Sequence, residues 1–223
     1  MKNKTHFILT GITLFGCVFL LWKSFQDQGR IQELEDELYY HENSNESLTN
    51  GEVYMIGNSI TSSGNWAELL GNRNVINKGI SGITTLDAVM MADKIVPERP
   101  DKVFIMLGIN DIKVEAPWDS ALSNYLNFLY AIKLYSPRTE INIISVLPTN
   151  YQDFRKYEVS LAEIKLLNEA LEELCVKHQW NYVNCYDDFL NDNDELIQEL
   201  STDGLHLNQK GYNKLAAFIK PLL

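Results

Sequence analysis

Three cysteines, four histidines and six prolines are spread over 223 residues, and basic side chains are scarcer still relative to acidic ones, 19 against 30. Cys17, Cys175 and Cys185 form no CxxC pair or Cys/His cluster, which excludes a disulfide framework and a zinc site. Two buried free thiols at Cys175 and Cys185 are expected, with a bridge between them as the alternative. The formal charge of −11 and the lack of any basic run exclude a nucleic-acid scaffold, which needs a basic face for phosphates. With 45% hydrophobic and 22% charged residues, neither a fibre nor a wholly disordered chain fits.

Only one long apolar run is present. Phe7 to Trp22 carries no charge and is preceded by Lys2 and Lys4 and followed by Lys23. It is short for a spanning helix, which needs about 20 residues, but Thr5 and His6 can extend it at the interface. No small-x-small cleavage site follows Trp22, so residues 1–23 read as an uncleaved signal anchor with a transmembrane helix. Leu14-Phe15-Gly16-Cys17 is weakly similar to a lipoprotein box, which leaves acylation at Cys17 as the alternative. The flanking charge puts the rest of the chain outside the cytoplasmic membrane, periplasmic or at the cell surface. Residues 24–51 read as a polar spacer helix, with Ile31, Leu34 and Leu38 at helical spacing, and an Asn/Ser-rich linker.

Residues 52–223 carry a charge of −8, against −3 for residues 1–50, and suffice for one well-buried core. Short β-branched runs alternate there with longer amphipathic stretches. Strands are predicted at Val53–Ile56, Asn74–Asn77, Lys102–Leu107, Glu140–Val146 and Trp180–Asn184. Helices are predicted at Trp66–Gly71, Thr85–Val96, Ser120–Tyr135, Ser160–His178 and Asn208–Ile219. The alternation implies a five-stranded parallel sheet in a three-layer α/β/α sandwich. Ligands of such folds bind outside the carboxyl ends of the strands.

Polar, Gly-containing segments follow the first three strands: Gly57-Asn58-Ser59-Ile60, Asn77 to Gly82, and Gly108-Ile109-Asn110-Asp111. Ser59 sits where a strand ends and a helix begins, so it reads either as a helix N-cap or as a nucleophile whose own N–H faces a developing oxyanion. Of His6, His41, His178 and His206, only His206 has a carboxylate three residues earlier, Asp203, in a Gly-containing loop ahead of the last helix. Asp203 can orient the imidazole there. Asn110 offers an amide donor, and Gly79 offers a backbone N–H that a substrate can approach closely. Each motif alone has a plain structural reading as a cap or a turn.

Together, in this order, the blocks resemble the SGNH/GDSL hydrolase family. The resemblance covers residues 52 to 222, and Asn77-Lys78-Gly79-Ile80-Ser81-Gly82-Ile83-Thr84-Thr85, Arg99-Pro100-Asp101 and Asp203-Gly204-Leu205-His206-Leu207-Asn208 look like its bacterial branch akin to platelet-activating-factor acetylhydrolase and sialate O-acetylesterases. It implies a flavodoxin-like fold, Ser59 as nucleophile, His206 as base, Asp203 as its partner, an oxyanion hole from the Ser59 and Gly79 N–H groups with Asn110, and no metal or organic cofactor. Asn58 stands where the family usually has Asp, which bears on rate and pH optimum more than on reaction type. The expected activity is removal of short acyl groups, chiefly acetyl, from glycans. A lysophospholipase or acyl-thioesterase, an envelope polysaccharide O-acetyltransferase and a non-catalytic glycan-binding relative are the alternatives. Tyr151, Phe154 and Tyr157, in Pro148 to Tyr157, suit either an acyl tunnel or a sugar platform.

Overall fold

A computed structural model describes residues 51–96, 99–114, 116–150 and 161–223. The anchor, the spacer, Cys17, His6, His41 and the aromatic segment with Tyr151, Phe154 and Tyr157 lie outside the described residues. Among the described residues no helix is long and apolar enough to cross a membrane.

Five parallel strands, β1 (Val53–Gly57), β2 (Val75–Asn77), β3 (Lys102–Met106), β4 (Glu140–Ile144) and β5 (Asn181–Val183), form one sheet in the order β2-β1-β3-β4-β5. Each predicted strand is present; β1 runs one residue further than expected, to Gly57, and the others are trimmed by up to two residues at an end. The helices are α1 (Ser59–Ser63), α2 (Trp66–Leu70), α3 (Thr85–Met90), α4 (Ala92–Ile95), α5 (Ile109–Lys113), α6 (Trp118–Tyr135), α7 (Leu161–His178) and α8 (Gln209–Ile219). The single helix expected over 85–96 is broken at Met91, whose backbone leaves the helical region at ψ 11°. The short α5 has no amphipathic repeat long enough to be seen in sequence.

Strand periodicity divides the core in two. Tyr54, Ile56, Val103, Ile105, Ile141 and Ile143 face α3, α4, α6 and α7, where they meet Ala88, Val89, Phe128, Ile132, Leu167 and Leu171. Val53, Met55, Phe104, Met106 and Ile144 face the other way, against Trp66, Leu70, Leu215 and Ile219. Both faces are covered, so the near-continuous apolar strands Val53–Gly57 and Lys102–Met106 are what a parallel sheet requires. The strand order reverses between β1 and β3. That switch point opens a crevice at the carboxyl ends of those two strands, and Ser59 and Asn110 lie just beyond them.

Asn168, on α7, seals the far side of β4. Its side-chain oxygen accepts the Val146 N–H at 2.8 Å and its amide donates to the Val146 carbonyl at 2.9 Å, replacing the strand partner that Val146 lacks. The expected thiols are free: Cys175 and Cys185 are both buried and unbridged. The Ser145 hydroxyl lies 3.2 Å from the Cys185 sulfur, and burial pushes both thiols up to about 12.

Candidate active site

The turn after β1 is built around Asn58. Buried at 1% exposure, it is the N-cap of α1, and its side-chain oxygen accepts the Ile60 N–H at 2.9 Å. Ser59 is therefore not the cap. It is the first helical residue, with its hydroxyl left for other work and its N–H among those an α-helix cannot satisfy internally. A carboxylate at position 58 could accept the same bond, but at the cost of burying a charge.

Five residues make a helix too short to hold itself, and side chains from three directions tie down its carbonyls. The Trp66 indole donates to the Thr61 carbonyl at 2.7 Å, the Tyr212 hydroxyl to Ile60 at 2.6 Å, and the Asn77 amide to Thr61, Ser62 and Gly64 at 2.9 to 3.1 Å. The Trp66 and Tyr212 rings meet edge-on, 5.8 Å apart. Of the neighbouring hydroxyl residues, Thr61 is buried beneath the turn, while Ser62 and Ser63 are exposed.

From the other end of the chain, residues 201–207 bring His206 to Ser59. The Ser59 hydroxyl oxygen lies 2.9 Å from His206 Nε2, and His206 Nδ1 lies 2.7 Å from Asp203 Oδ2. Burial alone would raise the Asp203 carboxyl, but hydrogen bonds from the His206 ring and from the N–H groups of His206 and Leu205 outweigh it and hold the group below its ordinary value. The carboxylate is thus an acceptor only, Nδ1 carries the imidazole proton, and Nε2 is left to accept from Ser59. The loop is fixed by the Ser201 hydroxyl, which accepts the Gly204 N–H and donates to the His206 carbonyl, both at 2.8 Å. The Asn150 N–H also donates to the Gly204 carbonyl, at 2.8 Å, which ties the loop to the segment that follows β4.

On the third side stands Asn110, in the first turn of α5 and 8% exposed. One hydrogen of its amide goes to the Ile83 carbonyl at 2.9 Å, leaving the other for a ligand. Asp111, beside it, accepts from Thr85 at the backbone N–H and at the hydroxyl (2.6 Å). Burial raises the Asp111 carboxyl despite those bonds.

Gly79 needs a correction as an oxyanion donor. Its N–H donates to the Asn77 side-chain oxygen at 2.9 Å and is already engaged. The residue is glycine for another reason: a Cβ there would run into the Ser62 backbone of α1. Three positions on, Gly82 fits the donor role that the sequence had suggested for Gly79. It takes the positive-φ position (81°) of a turn closed by the Ile83 N–H on the Ile80 carbonyl, has open space where a Cβ would stand, and, among the described residues, no acceptor for its N–H. It also adjoins Ile83, whose carbonyl holds the Asn110 amide. The signal was present in Ser81-Gly82, the second glycine of the motif.

The profile of the GDSL-like lipase/acylhydrolase family matches residues 47–214. The chain belongs to that family. As an acylhydrolase it is an enzyme of the esterase and lipase type, and its fold is shared with solved structures over most of its length. A Streptococcus pneumonia protein described as a platelet activating factor superposes with a TM-score of 0.70 at 25% identity, covering 96% of this chain and 98% of its own. A GDSL-like lipase from Bacteroides thetaiotaomicron gives 0.68 at 22% identity, over 84% and 95%. An acetyl-xylooligosaccharide esterase from Geobacillus Stearmophilus gives 0.61 at 19%, over 77% and 93%. No curated protein sequence matches the chain.

Proposed function

We propose that this acylhydrolase removes short acyl groups, acetyl foremost, from glycans through a covalent Ser59 intermediate. The observation that carries this is the unbroken chain of hydrogen-bond contacts from Ser59 through His206 to Asp203, at 2.9 and 2.7 Å. Ser59 Oγ attacks the ester carbonyl carbon while its proton passes to His206 Nε2. The carbonyl oxygen becomes an oxyanion facing the Ser59 N–H, the free Asn110 amide hydrogen and the Gly82 N–H. Collapse expels the alcohol, which takes the proton from Nε2. Water then attacks the acyl-enzyme, with His206 as base again, and the acid leaves with Ser59 restored. Asp203 stays ionised throughout and stabilises the imidazolium.

The choice of acetyl is supported by the names of two structural neighbours, the acetyl-xylooligosaccharide esterase and an acetyl esterase. The anchor reading of residues 1–23 places the catalytic domain at the outer face of the membrane, within reach of surface glycans.

Hydrolysis of p-nitrophenyl acetate and labelling by a fluorophosphonate should both vanish in Ser59→Ala. Wild-type turnover in that variant would sink the mechanism. Comparing C2 with C8 and C12 esters decides the substrate class: a preference for C2, with acetate released from acetylated oligosaccharides, supports the glycan reading, and a rise towards C12 favours a lysophospholipase or thioesterase.

A further inference from the structure

The triad and the oxyanion donors account for Ser59, His206, Asp203, Asn110 and Gly82, but not for Asp111. The residue is 2% exposed, and among the described residues no cation pairs with its carboxylate. Its donors are all neutral: the Thr85 N–H lies 3.1 and 3.0 Å from the two oxygens, the Thr85 hydroxyl donates to Oδ1 at 2.6 Å, and its own backbone N–H adds a further bond. Burying an anion against neutral donors is a costly way to stabilise a fold. As a cap for α3 it is also partly redundant, since Thr84 already caps that helix reciprocally with Asp87.

What Asp111 adds is registration between two segments. Thr85 is the first residue of α3, and the turn holding Gly82 and Ile83 runs directly into it. Asn110 and Asp111 are consecutive in α5; one grips the Ile83 carbonyl and the other grips Thr85 two residues later. This double grip fixes the rotation of the Asn110 amide as well as the position of the Gly82 turn. If the Thr85 grip is lost, the Ile83 carbonyl can drift and the amide follows it, away from where the oxyanion forms.

Building on the oxyanion hole described above, we propose that Asp111 is a positioning residue: by holding Thr85 it aims the Asn110 amide, and with it the Gly82 turn, at the developing oxyanion. It touches no substrate and acts through Asn110.

The test is a double-mutant cycle on acetyl ester hydrolysis with Asp111→Ala and Asn110→Ala, after Ser59→Ala has shown that turnover depends on the serine. Asp111→Ala is expected to lower kcat about 10- to 100-fold with KM changed less than about twofold, the size of effect that follows from a small misplacement of a catalytic group. In the Asn110→Ala background the same change should cost under about threefold, because the group it aims is gone. Asp111→Asn should restore most of the rate, since a turned amide can accept the Thr85 N–H and donate to its hydroxyl. Thr85→Val, which keeps the N–H but loses the hydroxyl bond, should fall between wild type and Asp111→Ala. Losses that multiply in the double variant, or a wild-type kcat in Asp111→Ala, would overturn the proposal. If Asp111→Ala does not fold, Thr85→Val decides in the same cycle: a wild-type kcat or multiplying losses again overturn it. Hydrolysis that survives Ser59→Ala would instead defeat the reading of the site as a serine esterase, a separate outcome.

Discussion

Asp203 holds His206 twice. Oδ2 lies 2.7 Å from the ring Nδ1, and Oδ1 accepts the backbone N–H of the same residue, also at 2.7 Å. One carboxylate therefore sets both the path of the chain through His206 and the tautomer of its ring, which explains why three residues of spacing serve where other triads use distant elements.

The Asp203→Asn variant separates these two functions. An amide oxygen can still accept the His206 N–H, so the loop keeps its course, but the amide nitrogen then faces Nδ1 and favours the tautomer whose Nε2 cannot accept the Ser59 proton. We expect kcat to fall roughly 1,000- to 10,000-fold with KM nearly unchanged, measured on phenyl acetate. A loss below tenfold would show that Asp203 is not the group orienting the base. The pH dependence of stability has a definite sign. The folded-state pKa of Asp203 lies below its ordinary value of 3.8. Its contribution is thus full above that value and is lost as pH falls through the lower, folded one. Both side chains are over a third exposed, so the effect is small and screened. The difference in Tm between wild type and Asp203→Asn should hold above pH 3.8 and narrow as the pH falls below it.

Gly79 and Gly82 should both lose stability to alanine, for different reasons. A methyl at Gly79 meets the Ser62 backbone, which cannot swing aside as a side chain can, so Gly79→Ala must push α1 and Ser59 away from His206. Overpacking of this kind costs about 1–3 kcal/mol, and fluorophosphonate labelling should slow along with the loss of stability. Gly82→Ala meets no neighbour but must hold a φ of 81°, at about 1–2 kcal/mol of backbone strain. Circular dichroism melts and labelling rates on both variants check this. Gly79→Ala with wild-type stability and labelling would contradict the close approach of the two loops.

The strands, the layer order and the candidates Ser59, Asp203 and His206 could be read from sequence because each rests on a local pattern: β-branched runs of 4–7 residues, a Ser at a predicted strand end, and an Asp three residues before a His ahead of the last helix. The donor role of Gly79 could not. Whether a loop N–H is free depends on where the Asn77 side chain turns, and Asn77 is also holding two carbonyls of α1 and that of Gly64 just beyond it, a tertiary relationship with no sequence period. Asp111 was invisible for the same reason. Next to Asn110 it reads as a turn residue, and only the packing of α5 against the start of α3 shows that it is buried.

The cysteines yield a prediction about chemistry rather than stability. With both thiols pushed up to about 12 by burial, almost no thiolate forms at neutral pH. Peptides containing Cys175 and Cys185 should remain unalkylated after iodoacetamide treatment of the native protein and become fully alkylated in guanidinium. Rapid native alkylation at Cys185 would mean that the Ser145–Cys185 layer is open to solvent.

Asn168 gives the sharpest stability test, because its side chain imitates a strand. It satisfies both backbone groups of Val146, and it is itself buried. Asn168→Leu keeps the branched shape and the number of side-chain heavy atoms and increases apolarity, so a core governed by hydrophobicity alone would be stabilised. Hydrogen-bond satisfaction predicts the reverse. The Val146 N–H and carbonyl would lose their partners inside the core, each at about 1–3 kcal/mol, partly offset by the buried leucine. A net loss of about 2–4 kcal/mol corresponds to a fall in Tm of about 5–15 °C for a domain of this size. Asn168→Asp should do no better, since it keeps the acceptor for the Val146 N–H but sets a buried carboxylate against the Val146 carbonyl. Thermal melts of the two variants decide the matter: an unchanged or raised Tm in Asn168→Leu would mean that Val146 finds other partners and that α7 is held to β4 by its apolar face alone.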